Sequence, residues 1–315
     1  MEKLTRQQQR LINAGAAIRG NPYPQADDIS FLASELVQTT LPYTDPGDVP
    51  IWVRYNGDIT FTIQQGYCGK EPYGYPYGIV PRILLTWTTK QLLLQDHNRI
   101  YLGKSLRSFV RSLGFDPNSG GKRGDRTRVE QMVQRFFRAK FSTNIVRDSK
   151  LTRRLKYSDL QFAPDGEFWW DYSGDEEDVF DGYVDIGHKA AKMLRTSPVP
   201  LDNRALCALR DSCLAMDLYN WYGYKTYLAN KHGETKEVPY RAAMKQLGCK
   251  FGNIRDITKG DVSNFRREAK LMTKRIAAAY PFYNIDFFNG VIYIHPSKLP
   301  LQERYESKSN LYSAS

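Results

Sequence analysis

The sequence predicts an α+β, mainly helical chain built from two tandem units, each a helix-turn-helix followed by a β-hairpin. Three observations predict it. The order core helix, short helix ending in Leu-Gly, loop, basic amphipathic helix and hairpin occurs twice. The markers Leu113-Gly114 and Leu247-Gly248 stand about 134 residues apart, and each Gly suits the left-handed position that ends a helix. Basic charge gathers on the same stretches: residues 104–156 hold fifteen Lys or Arg against four Asp or Glu, and residues 236–275 hold eleven against four. Helix, turn, second helix and hairpin in this order is the winged-helix arrangement, whose second helix enters a DNA major groove while the hairpin wing touches the backbone.

Taken in order, residues 1–48 are polar and rich in Pro and Gly, with only a short apolar-periodic piece from Asp28 to Val37, so a flexible N-terminal arm is expected. The first winged-helix unit is placed at 49–174. It opens with a β-ribbon in which runs from Ile51 and to Ile63 flank Asn56-Gly57, a strong hairpin signal. Pro81 then leads a long apolar helix through Ile83 to Leu94, and a short helix from Ser105 to Leu113 ends at Gly114. The longer helix from Thr127 to Lys140 reads as starting with a Thr127–Glu130 capping box. Val129, Met132, Val133, Phe136 and Phe137 give it one apolar side. Strands from Phe141 to Val146 and from Leu155 to Trp170, the second broken at Pro164-Asp165-Gly166, supply its wing.

Residues 175–182, with the run Asp175-Glu176-Glu177-Asp178, read as an acidic junction. The second winged-helix unit is placed at 183–300. It has a strand at Tyr183 to Ile186, a short helix from His188 to Leu194, and one core helix from the cap Asp202 to Tyr222. A short helix from Pro239 to Leu247 and an amphipathic helix from Val262 to Ala279 come next, and a hairpin turning at Asn289-Gly290 closes the unit. Residues 301–315 form a polar tail.

A formal charge of +11 suits a polyanionic partner, and the hydrophobic fraction of 41% is enough for packed cores in a chain of 315 residues. Cys68, Cys207, Cys213 and Cys249 include no C-x-x-C pair and no His at zinc spacing, so free thiols of a reducing compartment are expected and no metal. No stretch approaches the ~20 apolar residues of a membrane span, and the first residues lack the apolar core of a signal peptide, so the expectation is a cytoplasmic protein without a membrane partner. Gly103-Lys104-Ser105 imitates the end of a phosphate-binding loop, but Asn98 stands where that motif needs Gly. His97, His188, His232 and His295 are isolated, and Asp58, Asp165 and Asp171 sit beside turns. No catalytic residue and no cofactor is expected.

Double-stranded DNA is therefore the expected partner. The candidate DNA-binding residues are Arg123, Arg126, Arg128, Gln131, Arg135 and Arg138 in the first unit, and Ser263, Asn264, Arg266, Arg267, Lys270 and Lys274 in the second. Arg can hold guanine bidentately or grip phosphate, and Asn264 could read adenine, so base readers are not separated from phosphate contacts.

Gly74, Tyr75, Pro76, Tyr77, Gly78, Pro81 and Arg82, then Leu102-Gly103-Lys104-Ser105-Leu106 with Phe109, resemble the RepA-type plasmid replication initiators. The match continues through Leu113-Gly114, Gly120-Gly121, Arg123-Gly124, Gln131-Met132, Arg135, Phe136 and Phe137. Tyr75 stands where a small aliphatic residue is the family's habit. The resemblance implies a non-enzymatic initiator that binds repeats in its plasmid origin, helps open the DNA beside them, recruits the host initiator and replicative helicase, and self-associates as a dimer. A winged-helix transcriptional repressor, or a nucleic-acid enzyme such as a nickase or primase, is the alternative.

Overall fold

A computed structural model describes residues 4–57, 59–121, 124–148, 153–168, 182–196, 198–247 and 257–300. In chain order the helices and strands are α1 (Arg6–Gly20), β1 (Ile29–Ala33), α2 (Ser34–Val37), β2 (Trp52–Asn56), β3 (Ile59–Gln64), β4 (Gly66–Cys68), β5 (Glu71–Gly74), α3 (Ile79–Leu93), β6 (Arg99–Gly103), α4 (Leu106–Ser112), α5 (Asp125–Arg138), β7 (Lys140–Asp148), β8 (Arg153–Gln161), β9 (Asp165–Glu167), β10 (Gly182–Asp185) and α6 (His188–Arg195). They continue with β11 (Pro198–Asp202), α7 (Asn203–Leu209), α8 (Cys213–His232), β12 (Lys236–Pro239), α9 (Tyr240–Leu247), α10 (Lys259–Ala279), β13 (Ile285–Phe288) and β14 (Val291–Ile294). The mixed α/β composition follows the expected class.

The chain divides into a discontinuous unit, residues 1–38 with 198–315, and a central unit, residues 39–197. This differs from the expected boundaries at 48 and 183. The cause is a long-range pairing: β1 runs antiparallel to β11, with Ile29 opposite Asp202 and Ala33 opposite Pro198. Strand pairing across that separation leaves no local signature in the sequence. The acidic run at 175–178 and the tail after Pro300 lie outside the described residues, as do Arg123, Gly248 and Cys249.

In the central unit β2, β3, β7 and β8 form an antiparallel sheet in that order. Asn56 pairs with Ile59, so it ends β2 instead of occupying the turn, and Gly57 at φ 57° follows it. The expected ribbon is thus the edge of a larger sheet. Its inner face presents Phe61, Ile63, Phe141 and Leu160, all buried. Phe162 stacks into this core, 4.9 Å from the Phe136 ring and 4.8 Å from that of Phe141. Arg54 is fully buried on the same face, its guanidinium 4.9 Å from the centre of the Trp52 ring.

α5 begins at Asp125, and its N-cap is Gly124, so the expected Thr127–Glu130 capping box is not the start of the helix. The loop before it folds back so closely that a side chain at Gly124 would overlap the carbonyl oxygens of Ser119 and Gly120. α4 does carry a side-chain cap, from Ser105 to the Ser108 amide, and Gly114 lies at φ 77° just beyond it. The motif that carries the family resemblance is structural. Arg82, buried in α3, donates to the carbonyls of Leu41, Pro42 and Gly78, and the fully buried Tyr75 donates its hydroxyl to the Val49 carbonyl at 2.8 Å.

In the discontinuous unit the expected arm is instead a helix. Thr5 and Gln8 form a reciprocal capping box, and Leu11, Gly15 and Ile18, spaced by four and three, make a buried stripe against α10. Backbones meet at Gly15, where a Cβ would overlap the carbonyl oxygen of Ala278 and lie 3.1 Å from its carbon. Three positions, one of them glycine, are too few to stand out from a polar background.

The single helix expected from Asp202 to Tyr222 is two. Asp202 caps α7 as expected, but the chain breaks at 210–212 and Ser212 caps α8 through the Ala215 amide. Asp211 in the break accepts from Arg275 on α10 at 2.7 Å and pairs with Arg10 on α1 at 3.2 Å, so one carboxylate ties α1 and α10 to the α7–α8 junction. Tyr219, Tyr280 and Tyr283 pack with ring centres 4.6 to 5.6 Å apart beneath α8 and α10. The sheet order β12-β14-β13 places the hairpin beside the strand that precedes α9. Its turn has Asn289 at φ 45° and Gly290 at φ 81°, the paired positive values a type I′ turn requires.

Candidate nucleic-acid interface

α10 carries a continuous exposed basic face. Thr258 and Asp261 cap its start reciprocally, and hydrogen bonds from Thr258 hold the Asp261 carboxyl below the usual carboxylate range. Phe265, Ala269, Met272, Ile276 and Ala279 are buried at spacings of four, three, four and three. At 100° per residue that stripe leaves Ser263, Arg267, Lys270 and Lys274 along the opposite side, with Asn264 and Arg266 flanking it. Ser263, Asn264, Arg266, Arg267 and Lys274 are exposed and Lys270 half-buried. None of these four cations has an acidic partner among the described residues, whereas Arg275 on the inner side is held by Asp211.

Two aromatic rings border this face. The Arg266 guanidinium lies 5.8 Å from the Tyr240 ring on α9, and the Lys270 ammonium 5.7 Å from the Phe287 ring on β13. Tyr240 and Phe287 are themselves 6.1 Å apart. The sequence reading identified the cations but missed these rings. The signal available in the sequence was the Phe287-Phe288 pair directly before the Asn289-Gly290 turn.

α5 repeats the pattern with a different outcome. Its buried stripe is Val129, Met132, Val133, Phe136 and Phe137, as expected. Gln131, Arg128 and Arg138 are exposed opposite that stripe, with Arg128 paired to Asp125 at 3.2 Å. Arg126 stands seven residues before Val133, two turns of helix away, and so falls on the core-facing side near Gly120. Arg135 is only 20% exposed. It pairs with Asp45 at 3.1 Å, donates to the Tyr75 carbonyl and lies 5.4 Å from the Tyr77 ring. Arg138 reaches the Tyr67 carbonyl and the Tyr73 ring. The β4–β5 hairpin therefore covers the C-terminal half of this helix, and Gly66 allows it, because a Cβ there would come within 2.7 Å of Arg138.

The two stretches share the order helix, strand, helix, helix, hairpin, as α3-β6-α4-α5-β7-β8 and α8-β12-α9-α10-β13-β14. Their strand pairing differs. β12 joins its own hairpin through β14, whereas β6 joins β10 and the β7–β8 hairpin joins β3. Among the described residues no group of three or more His, Cys, Asp or Glu side chains is placed to hold a metal ion, and no helix is long and apolar enough to cross a membrane.

A family model described as plasmid-encoded RepA protein matches residues 75–240, more than half of the chain. The match ends at the first residue of α9, so α10 lies beyond it. Two solved structures of domains 2 and 3 of RctB are also similar. One, a selenomethionine derivative, has 11% identity and a TM-score of 0.49 over 83% of this chain and 95% of that one. The other has 11% identity and a TM-score of 0.44 over 82% and 94%. No curated protein matches the sequence.

Proposed function

Because the chain belongs to the plasmid-encoded RepA family, we propose that it is a plasmid replication initiator that binds repeated origin sites through two winged-helix units, helps open the origin, and recruits the host initiator and replicative helicase. The observation that carries the DNA-binding part is the exposed stripe on α10, where Arg266, Arg267, Lys270 and Lys274 are without acidic partners among the described residues. Side chains left so by the fold are available to phosphates or guanine edges, and counterion release rewards each phosphate they neutralise. The order α9, α10, β13, β14 supports the winged-helix reading, with α10 in the major groove and the hairpin as wing.

In the central unit the reading assigns DNA contact to the N-terminal half of α5, through Arg128 and Gln131, and to the β7–β8 hairpin. Arg135 and Arg138 instead hold the β4–β5 hairpin. Self-association is assigned to the aromatic-rich β2–β3 ribbon, where Ile51 is exposed and Trp52 half-buried. The protein works in the cytoplasm, without catalysis or cofactor.

The test is DNase I protection by the full chain on the plasmid's origin. Several phased direct repeats protected together support the initiator. A single protected palindrome makes the protein a repressor, strand nicks on supercoiled origin DNA with Mg²⁺ make it an enzyme, and no protection at all overturns the DNA reading.

A further inference from the structure

We infer that Phe288, at the tip of the β13–β14 hairpin, is a DNA wedge: its ring inserts against a base step at the edge of the groove that α10 occupies. The inference rests on the DNA-binding reading above and adds a residue and a deformation to it.

Phe288 is 63% exposed, on a hairpin whose other face is packed. Ile292 and Ile294 are fully buried, and Phe287, one residue earlier and on the opposite face of the strand, turns toward Tyr240 and Lys270. The tip that carries the exposed ring is braced on every side. Phe288 pairs with Val291 across the two-residue turn, Val291 pairs on its other side with Pro239 of β12, and the Tyr240 amide donates to the Gly290 carbonyl at 2.8 Å. A ring on a mobile loop would fold down onto apolar surface. A ring on a turn fixed by three strands and the first residue of α9 has no such retreat.

The four tip residues, Phe288, Asn289, Gly290 and Val291, are uncharged, and Arg266 and Lys270 stand behind them on α10. Asp286, two residues earlier and on the same face of the strand as Phe288, lies toward the root of the hairpin, 3.2 Å from His295, and Glu237 of β12 is exposed in the same cross-strand row. A rigid apolar side chain at a braced tip can unstack a base step while the cations of α10, on the other face of the hairpin, hold the backbone, the chemistry by which apolar wedges kink duplex DNA.

The test places 2-aminopurine in turn at each position bordering the DNase I footprint and follows its fluorescence as the full chain binds. Wild type raises fluorescence at one bordering step, and Phe288→Trp, which keeps an aromatic ring, retains the rise. Phe288→Ala gives the same footprint with affinity weakened by roughly ten-fold, in keeping with the loss of one base–aromatic contact, and the rise disappears. Equal fluorescence for wild type and Phe288→Ala, or a wild-type footprint with no bordering rise, overturns the wedge and leaves the α10 reading intact. Absence of any footprint overturns the DNA reading and the wedge with it.

Discussion

The same substitution at two positions of α1 should have opposite effects. At Gly15 an added methyl overlaps the Ala278 carbonyl oxygen, and that oxygen belongs to the backbone of α10, so it cannot swing aside. The two helices must separate by about 1 Å, and a gap of that size forfeits a quarter to a half of the dispersion contact along the seam. Overpacking of this kind costs about 1–3 kcal/mol or more, offset by about 1 kcal/mol from the better helix propensity of Ala. The net expectation for Gly15→Ala is a loss of about 1–2 kcal/mol, or roughly 2–8 °C in melting temperature for a unit of this size. At Gly20, in the last turn of the same helix, nothing lies within 4 Å of an added Cβ. Gly20→Ala should therefore gain as much as about 1 kcal/mol. Thermal melts followed by circular dichroism give the two signs, and hydrogen exchange should show faster opening of α1 and of the end of α10 in Gly15→Ala alone. If Gly15→Ala is as stable as Gly20→Ala, the close helix contact does not exist in solution.

Replacing Arg267, Lys270 and Lys274 together by Ala should lower the slope of log affinity against log salt by about 2–3, at about 0.9 per phosphate contact, in a gel-shift titration; an unchanged slope would show that α10 does not face the backbone. Asp45→Ala should release Arg135 and expose peptides 66–74 to exchange, with a small stability change of about 1 kcal/mol or less, because this pair is partly exposed; unchanged exchange there would mean that the pair does not hold the hairpin. Burial raises the Tyr219, Tyr222, Tyr280 and Tyr283 hydroxyls above the ordinary value near 10. For an acid whose folded pKa is raised, the unfolded chain ionises first, so stability is intact below pH 10 and falls as pH rises through and beyond it. Urea midpoints measured from pH 8 to 11 should decline only above that point, and a flat profile would contradict the burial of these hydroxyls.

The period of a helix stripe and the chemistry of a tight turn are local, and these were legible. The buried stripes of α5 and α10, the Asn289-Gly290 turn, the Asp202 cap and the concentration of cations on two helices all follow from residues within a few positions of one another. Where a helix start depended on a neighbour's backbone the sequence misled, as at Thr127. Gly124 is the cap because Ser119 and Gly120 leave room for nothing larger. Likewise Arg135 and Arg138 looked identical in kind to Arg267 and Lys274. Only Asp45, Tyr67 and Tyr75, sixty or more residues away, distinguish them.

By itself, then, the sequence determined the class of elements, their order, the family resemblance and the charge that calls for a polyanion. The tertiary structure alone decided which helix keeps its basic face open, that residues 6–20 brace α10, that β1 closes onto β11, and that one phenylalanine stands clear on a braced tip. The reason is physical. Propensity, capping and periodicity act within a turn or two of helix, whereas occlusion, strand partnership and close backbone approach depend on which distant residues the folded chain brings together.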